Sequence, residues 1–150
     1  MGLVLPQPIQ APPGIELPFA WVRTHQNRAY VSGHGAQNMD GSVAGPFGKV
    51  GAGVTPEQAA VSARLATLSI LSSLKSALED LDRITGWLIV NGMIAVAPGF
   101  MNTTNVMTPC SVLLLELFGP AIGKHARTAI GVAQLPLDLP VIISAEVSFD

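Results

Sequence analysis

The chain has 150 residues, 49% of them hydrophobic and only 12% charged, with a formal net charge of −2. That length suits one globular domain, able to bury about 68–70% of its unfolded surface. The composition excludes disordered and coiled-coil chains, which need charge or polar repeats, and the absence of any basic block removes the electrostatic footprint of a nucleic-acid binder.

So little charge leaves few polar side chains to cover a monomer, so an oligomer that hides part of the surface is expected. The lone cysteine, Cys110, cannot form an intramolecular disulfide and fits a reducing compartment. No run of about 18 apolar residues suits a membrane span. The N-terminal stretch MGLVLPQPIQAPPG lacks a basic leader and is broken by Pro6, Pro8, Pro12 and Pro13, so the cytoplasm is the expected location.

Residues 1–18 read as a proline-rich lead-in and residues 19–150 as one domain. FAWV at 19–22 and AYVS at 29–32 are strand candidates, with THQN at 24–27 as the turn of a hairpin. A glycine-rich stretch follows over 33–51, with a tight-turn signal at Asp40-Gly41 and a short strand candidate, FGKV, at 47–50. The clearest helix is predicted over 56–79. Thr55 is its N-cap, Pro56 loses nothing by lacking an N–H in the first turn, and Gln58 completes a capping box. Val61, Leu65, Leu68, Leu71, Leu74 and Leu78 recur every three or four residues as one apolar stripe.

ITGWLIVNGMIAVA at 84–97 is a long strand candidate, and APGFMNTTN a loop. Thr108-Pro109 repeats the cap-and-proline pattern ahead of a short buried helix, CSVLLLELF at 110–118, stopped by Gly119-Pro120. RTAIGVA at 127–133 and VIISAEVSF at 141–149 are the last strands, joined by LPLDLP. The order is an α+β sandwich: a mixed sheet with two helices on one face, its other face so poor in charge that packing between subunits is expected to cover it.

Arg127 opens a strand of small and apolar residues. Its guanidinium either lies at a sheet end in solvent or points into a cleft, where its planar fork would grip a carboxylate. Lys124 and His125 beside it would make a small positive mouth suited to small anions. His34, in the GHG stretch after a strand, either ties its loop together or contacts a ligand. Cys110 falls in the first turn of the predicted second helix, where the dipole would lower its pKa, although the surrounding VLLLEL favours packing. Glu146 shares a strand face with Ile142, Ser144 and Ser148, as an acid or base or as a solvent-facing rim residue. His34, His125 and Cys110 have no metal-ligand spacing, and no nucleotide-binding glycine loop is present.

Taken in order, YVSGHGAQ at 30–37, GKVG at 48–51, VTPEQA at 54–59, LKSALEDLDRI at 74–84, PGF at 98–100, ELFG at 116–119 and HARTAIGVAQLPLDLPV at 125–141 resemble the reactive intermediate (enamine/imine) deaminase family. This RidA-like family is also called YjgF/YER057c/UK114 and was formerly labelled endoribonuclease L-PSP. The resemblance covers about residues 15–148, and the SGHG form marks a divergent branch. It implies a chorismate-mutase-like α+β fold and a homotrimer whose sheets form a central barrel, with clefts between subunits. It also implies cofactor-free hydrolysis of small 2-imino or 2-enamino carboxylates to 2-keto acids and ammonium. Arg127 would clamp the carboxylate, and Tyr30, Ser32, Gly33 and His34 would line the cleft, with Cys110 beside it.

Three departures bear on that expectation. Ala129 stands where active members carry a cysteine, and Ile142 and Ser144 stand at the two glutamates of the last strand. Isoleucine cannot activate water, and Glu146 lies about 13 Å further along an extended strand. Two further readings therefore stand beside hydrolysis. One is a non-hydrolytic small-ligand binding or regulatory protein. The other is a tautomerase or related enzyme of the same cleft, with His34 as acid or base.

Overall fold

The computed structural model describes residues 2–150. Strands β1 (Val22–His25) and β2 (Arg28–His34) form the expected hairpin, with Gln26 in the left-handed region at φ 53° as the chain reverses. The first strand begins three residues later than FAWV suggested, and Phe19 and Trp21 ahead of it stack edge-to-face on each other. Two-residue strands β3 (Lys49–Val50) and β4 (Gly53–Val54) follow, then helix α1 (Pro56–Leu78), strand β5 (Ile84–Ala95), helix α2 (Thr103–Gly123), strand β6 (Ala126–Val132) and strand β7 (Val141–Phe149). The main sheet has the order β1-β2-β7-β5-β6, antiparallel except for the β5–β6 pair.

Helix α1 starts as the capping box requires. The Thr55 hydroxyl accepts from the Gln58 backbone N–H, and the Gln58 side chain accepts from the Thr55 N–H. Its burial is wider than one stripe. Val61 is exposed, whereas every residue from Ala66 to Leu74 is buried. The lead-in explains the difference: Leu3 and Leu5 pack against the core, and the Ser72 hydroxyl donates to the Pro6 carbonyl at 2.6 Å. Ser69 likewise bonds the Gln37 side chain. Residues 2–18 carry no helix or strand, yet Leu3, Leu5 and Pro6 are held against the core and α1.

Helix α2 begins at Thr103, seven residues before the predicted start at Cys110. Thr108-Pro109 looks like a cap, but Val106, Met107, Cys110, Leu113 and Leu114 are all buried, and that 3-4 spacing extends the helix through the proline. The turn before Pro109 is held instead by the Thr108 hydroxyl, which donates to the Thr104 carbonyl. The helix leaves helical geometry at Gly119, φ 72° and ψ 170°, and makes one more turn from Pro120. By length and a mean hydropathy of 1.6, α2 matches a membrane span. Its buried stripe lies on β5, where a Cβ at Gly92 would overlap the Met107 thioether.

Strand β7 alternates as read from sequence. Val141, Ile143, Ala145 and Val147 are buried beneath the helices, whereas Ile142, Ser144, Glu146 and Ser148 point the other way. The opposite face carries Ile142, Met93 and Ile130, a Thr128–Asn91–Ser144 hydrogen-bonded row, and the Arg28–Glu146 ion pair at 2.6 Å. Among the described residues no helix covers this face.

Candidate functional site

The SGH segment sits where β2 breaks register against β7, between Val31 and His34. A Cβ at Gly33 would stand 2.8 Å from Ile142 Cγ2, so the glycine permits the two strands to close there. Ser32 is spent on local structure: its hydroxyl donates to the Ala20 carbonyl and its N–H to the Trp21 carbonyl. Tyr30 is 42% exposed and lies across from Glu146 on the helix-free face.

His34 is fully buried. Its Nδ1 lies 2.6 Å from the Ser32 carbonyl and its Nε2 lies 2.8 Å from Ser73 Oγ on α1. A carbonyl can only accept, so Nδ1 carries the proton; in the neutral ring Nε2 then accepts from the Ser73 hydroxyl. Burial pushes the imidazole below the ordinary histidine value, outweighing the Ser32 bond that favours the charged form. The Trp21 ring stands edge-on at 5.5 Å and helps to close the space around it. His34 thus lies in the protomer's interior, where burial favours its neutral form.

Cys110 is also sealed, at 1% exposure. Because α2 starts at Thr103, the thiol is two turns inside the helix, beyond the reach of the N-terminal dipole. Burial pushes its pKa up; the Thr67 hydrogen bond and the Arg127 charge pull it down by less. The side chain belongs to the core.

Arg127 is different. It lies on the edge strand β6, on the helix side of the sheet, with a half-buried guanidinium. Nη1 donates to Ser111 Oγ at 3.0 Å, and Nη2 makes a long bond of 3.4 Å to the Thr104 carbonyl. Among the described residues its fork meets no carboxylate, since the ion pairs are Arg28–Glu146 and Arg83–Asp150. Ser111 also touches His125: Oγ and Nε2 are 2.9 Å apart, and His125 Nδ1 faces the Gly123 carbonyl at 2.8 Å. The sequence marked Lys124, His125 and Arg127 as a positive mouth but passed over Ser111, whose only signal is a hydroxyl amid an apolar run.

Within one protomer the SGH segment and Arg127 are not brought together. Strands β2 and β6 are separated by β7 and β5, about 14 Å across the sheet, and Tyr30 and Arg127 face opposite sides. Glu146 is held by Arg28, and β7 keeps its alternation without a bulge, so it does not reach the Ile142 position. A cavity of about 830 Å³ lies elsewhere, between the lead-in and α1 and lined by Leu3, Leu5, Leu71 and Lys75 among others. No cluster of three or more His, Cys, Asp or Glu side chains able to hold a metal occurs among the described residues.

This sheet, its two helices and the β5–β6 parallel edge make a fold shared with the solved Escherichia coli TdcF and YjgF structures. Escherichia coli TdcF with bound serine matches it at a TM-score of 0.64 with 14% identity over 96% of this chain and 99% of that one. The E. coli YjgF gene product matches at 0.62 with 17% identity over 95% and 92%. Nearer in sequence is Atu1372 of Agrobacterium tumefaciens, a protein of unknown function. It is 34% identical, with a TM-score of 0.83 over 91% of this chain and 87% of that one. The chain belongs to one family with Atu1372. A candidate endoribonuclease from Shewanella oneidensis is 27% identical at a TM-score of 0.85, over 99% of this chain and 93% of that one. Protein TCP17 of Trypanosoma cruzi is 36% identical over 103 residues, 69% of this chain; the match spans 64% of that protein, less than two thirds of its length. No protein-family model matches the chain.

Proposed function

We propose that this chain is a RidA-like hydrolase of small 2-imino or 2-enamino carboxylates, releasing 2-keto acids and ammonium, with Arg127 as the carboxylate clamp. The observation that carries the reading is the Arg127 guanidinium: half-buried, oriented by Ser111 and the Thr104 carbonyl, and facing no carboxylate of its own among the described residues. A half-buried cation without a counter-ion gains most from a carboxylate that it can hold with two parallel bonds. TdcF, which shares the fold, binds serine, a small molecule bearing a carboxylate. The reading needs no cofactor, and it suits a reducing, cytoplasmic setting in which the unpaired Cys110 stays a thiol.

The working unit of this proposal is a homotrimer. Three copies would close the helix-free faces, with Ile130 at 53% exposure, into a central barrel. The same assembly would let Tyr30, Ser32 and Gly33 of one subunit approach Arg127 of the next, which a single protomer keeps apart. The endoribonuclease description of the Shewanella relative gains no support from a chain of net charge −2.

A second reading is favoured by Ile142 and Ser144. Without a glutamate at either position, the scaffold is a small-carboxylate binding protein that does not turn its ligand over. Freshly generated imino acids separate the two. Hydrolysis predicts ammonium and keto-acid release well above the uncatalysed rate, lost in Arg127→Ala. Carboxylate binding without acceleration, across several side-chain sizes, overturns hydrolysis in favour of the binder.

A further inference from the structure

Resting on the hydrolase reading, we infer that Ser111 and His125 are the proton relay that replaces the missing glutamates, Ser111 touching the attacking water and His125 receiving its proton. The geometry at Ser111 carries the inference. A hydroxyl donates one hydrogen bond and accepts two. The Gly123 carbonyl accepts only, so His125 Nδ1 carries the proton; Nε2 of the neutral ring then takes the Ser111 hydroxyl hydrogen. Arg127 Nη1 fills one acceptor position of the oxygen. One lone pair is left for a water. Nucleophile activation by a serine backed by a histidine, itself oriented by a carbonyl, follows the logic of general-base catalysis.

The placement suits the chemistry. The imine carbon of a 2-imino acid is bonded directly to the carboxyl carbon. A carboxylate on Arg127 therefore sets the electrophile one bond from the group that its own clamp holds, beside Ser111. In a protonated imine, the water oxygen bonds to the imine carbon while the C=N π pair moves to nitrogen. The water proton passes to Ser111 Oγ as the serine's own proton passes to His125 Nε2. The imidazolium returns it through Ser111 to the amino nitrogen of the carbinolamine. The C–N bond breaks with its pair on nitrogen, and the carbinol proton ends on the departing ammonia, giving the keto acid and ammonium.

Steady-state hydrolysis by wild type, Ser111→Ala and His125→Ala, with 2-keto-acid binding measured alongside, tests the relay. The relay predicts that kcat falls about 100-fold in both variants, that KM and keto-acid affinity of His125→Ala stay within threefold of wild type, and that added imidazole restores part of the His125→Ala loss. An active wild type whose variants keep kcat, or lose kcat and affinity together without imidazole rescue, overturns the relay and leaves the Arg127 clamp standing. A wild type that binds keto acid but accelerates nothing overturns the hydrolase reading and the relay with it.

Discussion

Two histidines in this fold are wired alike. His34 and His125 each turn Nδ1 to the carbonyl two residues earlier, Ser32 and Gly123, and each meets a helix serine with Nε2, Ser73 on α1 and Ser111 on α2. Their surroundings differ. His34 is fully buried beneath Trp21, and among the described residues its serine has no charged neighbour in hydrogen-bond range. His125 is half-buried, and its serine also accepts from the guanidinium of Arg127. Identical local bonding makes a structural lock in one place and, in the proposed function, a working group in the other. Burial and the neighbouring charge decide between them.

The largest expected effect breaks the lock. His34→Ala leaves a cavity and strands the buried Ser73 hydroxyl, and should cost about 3 kcal/mol of stability, read in urea unfolding. A loss below about 0.5 kcal/mol would mean that His34 is not part of the core.

Next, the two serines should separate. Ser73→Ala leaves a buried imidazole acceptor unpaired and should cost about 2 kcal/mol, whereas Ser111→Ala, where water can step in, should stay within about 0.5 kcal/mol. Equal losses would erase the contrast between the two flanks.

A third prediction concerns pH. The folded state holds the His34 pKa below its ordinary value of 6.5, so below that pH the unfolded chain binds more protons. Stability should fall as pH drops from 6.5, by up to about 1.4 kcal/mol per unit, until the buried ring itself protonates. His34→Gln should flatten that limb; a limb that persists unchanged would assign it to another group. The smallest expected effect is on Cys110, which should react with a thiol reagent only as fast as the protein opens, because the thiol is buried and its pKa is raised.

The sequence carried α1 and β7 because their signals are local: a capping box at Thr55 and Gln58, and period-two burial from Val141. It misplaced the start of α2 because Thr108-Pro109 imitates a cap, while the deciding contact, Met107 against Gly92, lies across the fold. Arg127 stood out as a charge opening an apolar strand. Ser111 did not, since its partners His125 and Arg127 lie 14 and 16 residues away and return to it only after the chain turns at Gly119-Pro120. The burial of His34 was equally hidden, for α1, Trp21 and β2 must meet before the ring has an interior to occupy.

The most direct test of this account is a ¹⁵N imidazole NMR titration of the protein with a small 2-keto acid. The account predicts that the His125 resonances shift with ligand while those of His34 stay fixed in the Nδ1-protonated neutral form, and that Arg127→Ala abolishes the response. Shifts at His34 with His125 unmoved would contradict it and place the chemistry on the flank here assigned to structure.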